Sequence, residues 1–333
     1  MKATAIANAN IALVKYWGKR NKELVLPNNS SISMTFDKLN TITTVEFDKK
    51  YKRDIFILDG RELKIGTEEF KRTVGHLNLI RKISESKEKA KVVSKNNFPT
   101  AAGLASSASG FAALSLAGSK ATGINLDSKE LSILTRRSGS GSATRSCQGG
   151  FVEWLKGKKP DGSDSYAVQI APPKHWPEFR IIVTIVSKIK KKVSSTEGMD
   201  LTIKTCPMYK AWLETVEEDL RNVKNGILKK DFTLVGKTAE SNCLKMHAVM
   251  MTTKPALIYW MPATLEIIHS VLSWRKDGLE CYFTIDAGPQ VKIICLEKDV
   301  SKLKRRLQRI TGIKKTIICK PGKEPKLINK HLF

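Results

Sequence analysis

The sequence predicts an α+β protein of two domains, and three observations predict it. Its 333 residues are too many for one simple core and about right for two domains of ordinary size. Strand-like and helix-like stretches occur in both halves, with no internal repeat. Beyond Pro172 the composition shifts: a buried, strand-like run from Arg180 to Val186 gives way to the lysine-rich KIKKKVSSTEGM. Domains over residues 1–175 and 176–333 follow from that shift.

The elements are read in chain order. Ile42 to Phe47 is rich in β-branched residues and ends in alternation, and Asp54 to Leu58 is a second apolar run after a basic turn, so the pair reads as two neighbouring strands. From Phe70 through Val74, Leu77, Ile80 and Ile83 the apolar residues recur at three- and four-residue steps, which is the stripe of an amphipathic helix. The segment FPTAAGLASSASG, residues 98–110, is a small-residue loop opening into an Ala- and Leu-rich helix. A second small-residue cluster, Ser138 to Arg145, reads as a turn before the strand-like FVEWL. In the second half, Trp212, Val216, Leu220 and Val223 mark one helix, and Leu265, Ile268, Val271 and Leu272 mark another. Tyr282 to Ile285 and Val291 to Leu296 read as strands flanking the turn DAGP. Together these make the second half an α+β sandwich.

Lys and Arg outnumber Asp and Glu by 26, which pulls anions toward the surface. The lysines are scattered from end to end, and neither zinc-ligand spacing, an aromatic RNA-stacking motif nor a basic helix stripe accompanies them. Nucleic acid is therefore not the expected partner. No run has the apolar length of a membrane helix, and the first twenty residues carry Lys15, Lys19 and Arg20, so a cytoplasmic location is expected. The six cysteines lie far apart without a C-x-x-C pair, as buried thiols would.

A Gly/Ser loop that opens a helix presents unpaired N–H groups at the positive end of the helix dipole and can cradle phosphate. In FPTAAGLASSASG the glycine allows close approach, and Ser106 or Ser107 can offer a hydroxyl to a phosphate-bound Mg²⁺. The segment lacks the lysine of a P-loop. On its own, an ordinary N-cap ahead of a core helix would explain it equally well.

Three segments in order, NIALVKYWGKRN at 10–21, PTAAGLASSASG at 99–110 and IDAGPQVKI at 285–293, resemble the three motifs of the GHMP small-molecule kinases. With LPNNSSIS, SGSGSATRS and VSSTEGM they resemble the diphosphomevalonate decarboxylase family within that group, over most of the chain. The resemblance implies an N-terminal α/β domain with a left-handed βαβ crossover, a ferredoxin-like C-terminal domain, and an active site in the cleft between them. It implies ATP and Mg²⁺ as cofactors and mevalonate 5-diphosphate as substrate. The C3 hydroxyl is phosphorylated, then phosphate and CO₂ leave. A homodimer is the expected assembly.

The same resemblance assigns residues. Asp286 is the expected acceptor of the hydroxyl proton, Lys15 its supporting cation, and Arg145 the holder of the substrate carboxylate, where a planar fork suits two oxygens. Tyr16, Trp17, Gly18 and Lys19 match the substrate-binding stretch, with Ser140, Gly141, Ser142, Ala143 and Thr144 across the site and Arg61 and Thr196 as further contacts. Pro99, Ala101, Ala102, Gly103, Leu104, Ser106 and Ser107 are the expected contacts to ATP phosphates, with Ser107 also the expected metal contact. The basic run Lys188 to Lys192 reads as a solvated loop that can neutralise phosphates in a closed state. Gln290 stands where relatives carry Asn, and Thr144 where several carry Cys; both affect fine geometry and no charge. The rival readings are a mevalonate 3-kinase-like enzyme, a phosphomevalonate decarboxylase, and a basic anion- or nucleic-acid-binding protein without activity. Retention of Lys15, Arg145 and Asp286 together favours decarboxylation over simple phosphorylation.

Overall fold

The computed structural model describes residues 1–98, 106–187, 189 and 192–333. The chain opens on β1 (Lys2–Val14), makes the short strands β2 (Lys19–Asn21) and β3 (Leu26–Pro27), and returns as the long β4 (Ser31–Asp48). There follow β5 (Ile55–Leu58), β6 (Arg61–Glu62), α1 (Glu68–Ser84), β7 (Lys89–Asn96), α2 (Ser106–Ala121) and α3 (Ser128–Arg136). A 3₁₀ turn over Gly141–Cys147 leads to β8 (Phe151–Trp154) and β9 (Ala167–Ala171). The second half runs β10 (Phe179–Ile185), α4 (Ser195–Thr205), α5 (Tyr209–Lys229), α6 (Phe232–Met251), α7 (Pro262–Lys276), β11 (Tyr282–Ile285), β12 (Val291–Leu296), α8 (Val300–Leu307), β13 (Lys315–Cys319) and β14 (Lys326–Leu327).

The larger sheet has eight strands in the order β14-β1-β4-β7-β5-β6, with β8 pairing the start of β4 and β9 pairing β8. The two runs read as neighbours lie in β4 and β5, but β7 sits between them. β5 pairs β7 in parallel because α1 crosses over between the two, and β4 pairs β7 antiparallel. The smaller sheet, β11-β12-β10-β13, is antiparallel throughout. The last strand, in the segment read as the second domain, pairs with β1 of the first, with Ala5 opposite Leu327.

Local chemistry explains the helix starts that matter for the site. Thr67 caps α1 by accepting from Phe70 N–H, and Glu68 and Glu69 place negative charge in its first turn. Ser194 caps α4 by accepting from Glu197 N–H at 3.1 Å. α2 packs small residues, Ala108, Ala112, Ala113 and Ala117, so that its backbone lies close to the sheet.

Three buried clusters hold this together. One lies between α1, α2 and the larger sheet, and includes Val45, Val92, Leu77, Ile80 and Leu114. Another packs α7 and α8 on one face of the smaller sheet through Ile267, Val271, Ile293, Leu303 and Leu307. The largest joins the halves: Ile11, Leu13 and Ile32 share it with Ile181, Val183, Trp212 and Tyr282. Such a shared interior fixes the two walls of the cleft against each other.

Candidate active site

A cavity of about 660 Å³ opens between the halves. Its walls include the end of β1, the starts of α1 and α2, the Gly139–Ser142 loop, the start of α4, and Asp286 with Ala287 from the turn after β11. These are the positions a small-ligand site takes in a two-part fold.

Lys15 is the first residue past β1, so its peptide has left the ladder and needs other partners. Two buried asparagines supply them: Lys15 N–H donates to Asn242 Oδ1 at 2.7 Å, and Asn29 Nδ2 donates to Lys15 C=O at 2.8 Å. Held in this way and only 1% exposed, Lys15 donates from Nζ to Asp286 Oδ1 at 2.8 Å and to Ala12 C=O at 2.9 Å. Burial alone would raise the Asp286 carboxyl. The charges of Lys15 and Lys292, the hydrogen bond from Lys15 and the charge of Arg145 outweigh it and hold the group down at about 2.

Arg145 projects from the 3₁₀ turn and is 2% exposed. Its Nη1 donates to Ser31 Oγ at 2.5 Å, and its buried Nε has no hydrogen-bond partner among the described residues. Burial lowers its pKa to about 10, with Asp286 and Tyr16 opposing, so it stays charged at neutral pH. A buried guanidinium that lines a cavity and is not fully paired suits an anion.

The KYWGK stretch is fixed from several elements. Trp17 Nε1 donates to Thr202 Oγ1 at 3.1 Å, and Tyr209 Oη donates to Trp17 C=O at 2.8 Å while accepting from Asn28 Nδ2 at 2.8 Å. Gly18 has φ +115, and a Cβ there would lie 1.9 Å from Tyr209 Oη. The Tyr16 ring lies 4.8 Å from that of Trp154, and its hydroxyl is buried without a hydrogen-bond partner among the described residues. A Cβ on Gly141 would sit 2.6 Å from the Tyr16 ring, which explains a glycine in this loop. Ser107 Oγ at the start of α2 lies 3.1 Å from Ser140 Oγ, joining the two small-residue segments.

Lys15, Tyr16, Trp17, Ser106, Ser107, Ser140, Gly141, Ser142, Arg145, Thr196 and Asp286 all line the cleft. Gly18, Lys19, Ala143 and Thr144 stand behind that lining; Thr144 is fully buried, and burial lowers the pKa of Lys19. Arg61 is exposed on β6, outside the cleft lining. Pro99, Ala101, Ala102, Gly103 and Leu104 lie outside the described residues, as do Lys188, Lys190 and Lys191; Lys192 lines the cleft. Gln290 is buried and ties the DAGP turn to the end of β10, accepting from Val186 N–H at 2.7 Å and donating to Ser187 C=O.

Sequence reasoning missed Arg72, Asn10 and Lys292. Arg72 lines the cleft one turn into α1, stacked 5.0 Å over the Phe111 ring. Asn10 donates to Ser142 C=O at 2.9 Å and to Ser146 Oγ at 2.8 Å, bracing the loop that carries Arg145. Lys292 lies 3.9 Å from Asp286 Oδ2. Its one legible signal was a lysine within the apolar strand VKIICL.

Among the described residues no group of three or more His, Cys, Asp or Glu could hold a metal. Ser106 and Ser107 at the α2 N-terminus instead suit an ion that keeps most of its oxygens from phosphate and water, as Mg²⁺ does.

Comparison with known proteins gives the same picture. The model of diphosphomevalonate decarboxylase-like N-terminal domains matches residues 7–167, and that of mevalonate 5-diphosphate decarboxylase C-terminal domains matches residues 181–329. The diphosphomevalonate decarboxylase of Saccharomyces cerevisiae is 39% identical over 325 residues, covering 93% of this chain and 82% of the yeast protein. The human one is 38% identical over 315 residues, covering 90% and 78%. A solved structure described as MDDEF in complex with MVAPP, AMPPCP and magnesium is 41% identical, with a TM-score of 0.91 over 98% of this chain and 99% of that one. The mevalonate diphosphate decarboxylase from Staphylococcus aureus is 36% identical, with a TM-score of 0.92 over 98% of both chains.

Proposed function

The chain belongs to the diphosphomevalonate decarboxylase family, and we propose that Asp286, Lys15 and Arg145 carry the reaction for which that family is named. It has the GHMP kinase fold and acts as an ATP-dependent decarboxylase of mevalonate 5-diphosphate, giving isopentenyl diphosphate, ADP, phosphate and CO₂. The observation that carries the residue assignment is the Lys15–Asp286 ion pair at 2.8 Å, in the same cleft as the buried Arg145.

ATP with Mg²⁺ supplies the phosphoryl group; Ser106 and Ser107 at the α2 N-terminus would hold its phosphates, with the Ser107 hydroxyl on the metal. Asp286 takes the C3 hydroxyl as a hydrogen bond on Oδ2, because Lys15 already occupies Oδ1. A carboxylate held at about 2 does not strip a tertiary alcohol in advance. It aligns the oxygen with the phosphorus and receives the proton as the new P–O bond forms. Arg145 holds the substrate carboxylate with its fork. The C3–O bond then breaks and its electron pair leaves with phosphate, while the C1–C2 pair becomes the C2=C3 double bond and C1 leaves as CO₂. Tyr16, Ser140, Ser142, Thr196 and Arg72 serve the diphosphate end, a set of donors and a cation matched to an anion.

A domain boundary near residue 175, a homodimer and a cytoplasmic setting complete the proposal. Six free buried thiols support a reducing compartment, and no helix among the described residues is long and apolar enough to cross a membrane. The substrate is tested by offering mevalonate, mevalonate 5-phosphate and mevalonate 5-diphosphate in parallel with ATP and Mg²⁺. Turnover of the diphosphate alone is expected; equal turnover of the monophosphate would move the assignment to a phosphomevalonate decarboxylase.

A further inference from the structure

Lys292 sits on β12 opposite Thr284 of β11 and Val183 of β10. Its neighbours on that face of the sheet, Ile181, Val183 and Ile294, belong to the apolar core, and Lys292 itself is 2% exposed. A charge there is costly unless it answers another charge. Its Nζ is 3.9 Å from Asp286 Oδ2, on the side of the carboxylate opposite Lys15. That separation is too long for a hydrogen bond and short enough for a strong field. Oδ2 therefore feels the charge and keeps its lone pairs.

Among the described residues, titratable groups from β1, the 3₁₀ turn, β12 and α6 act on Asp286. Lys15 comes from the end of β1, Arg145 from the 3₁₀ turn, Lys292 from β12, and Cys243 and His247 from α6. Burial raises the Cys243 thiol and lowers His247 to about 3, so both are neutral at pH 7. Among the described residues, the charged groups acting on this carboxylate are Lys15, Lys292 and Arg145. We propose that Lys292 is a positioning residue for the reaction: its charge beside Oδ2 and the Lys15 hydrogen bond on Oδ1 together hold the Asp286 carboxylate in the orientation that meets the substrate hydroxyl. This rests on Asp286 as the proton acceptor. Burial lowers the Lys292 ammonium and Asp286 opposes that, so each group makes the other's charge tenable.

The test uses the purified full chain with ATP, Mg²⁺ and mevalonate 5-diphosphate. Lys292→Met should lower kcat by roughly 10- to 100-fold, the scale of a misplaced catalytic group, with both KM values within about threefold. Lys292→Arg should keep kcat within about tenfold of the native value. Lys292→Ala should regain rate from added ammonium or methylamine and not from methanol, a distinction that packing alone would not make. Native kcat in Lys292→Met, or equal recovery with methanol, overturns the proposal. If circular dichroism shows that the methionine variant does not fold, Lys292→Gln carries the same comparison. Native kcat in Asp286→Asn would instead overturn the reading of Asp286 itself.

Discussion

Asp286 lines the cleft with one oxygen bonded to Lys15 and the other beside Lys292, so the nearby side chains divide between holding charge and holding shape. Arg145 does both, and the difference is measurable. Arg145→Lys keeps the positive charge but loses the planar fork, so kcat should fall by about tenfold to a hundredfold in steady-state assays. Retention of native kcat would mean that charge alone suffices. Asp286, Lys15 and Arg145 were assigned through the resemblance of their segments to family motifs; read alone, each would pass for a turn, a solvated lysine or a surface arginine. Lys292 was not assigned, because a lysine in a strand ordinarily points to solvent, and only the register against Thr284 shows that it points inward. Arg72 escaped for a related reason: its helical phase turns it into the cleft, whereas Arg61 stays on an exposed hairpin.

The β1–β2 connection is the element whose geometry tolerates least change. Gly18 sits at positive φ under Tyr209, whose hydroxyl links Asn28 to the Trp17 carbonyl. Gly18→Ala adds a strained backbone and a clash at once, and it should cost about 2 kcal/mol or more in urea unfolding. A loss below about 0.5 kcal/mol would mean that the loop yields easily. Elements with a clean stripe, α1 and α5, were readable from spacing. α6 was not: Phe232, Val235, Ala239, Cys243, Met246 and Val249 are buried alongside Gly236, Asn242 and His247, so polar and small residues blur its apolar stripe. The placement of β5 beside β7 also escaped, because a parallel partner is chosen by the crossover helix and not by the strand's own residues.

Across the whole molecule, the net charge of +26 accompanies buried ionisable groups, among them His76 and His247. These two histidines contribute to the loss of stability in acid. Burial, with Arg137 beside His76 and Lys15 near His247, lowers both imidazoles to about 3. Below their unfolded value near 6.5 the unfolded chain binds protons that the folded chain refuses, so folding stability should fall as pH drops from about 6.5 toward 3. The slope should approach about 1.4 kcal/mol per pH unit for each histidine. Urea midpoints at pH 7, 6 and 5 check this, and His76→Asn should flatten the slope by about half. The two-domain α+β class was legible from length and pattern, and the cleft between the halves was implied by the resemblance of three ordered motifs to a known family. The core that joins the halves was not, since it pairs residues such as Leu13 and Trp212 that are remote in sequence.

The most direct test follows ADP and CO₂ separately from mevalonate 5-diphosphate with the native protein and with Asp286→Asn. Phosphorylation and decarboxylation in one cleft predict equal amounts of the two products from the native protein, and neither above background from the variant. ADP without CO₂, or CO₂ from the Asp286→Asn variant at the native rate, would contradict that account.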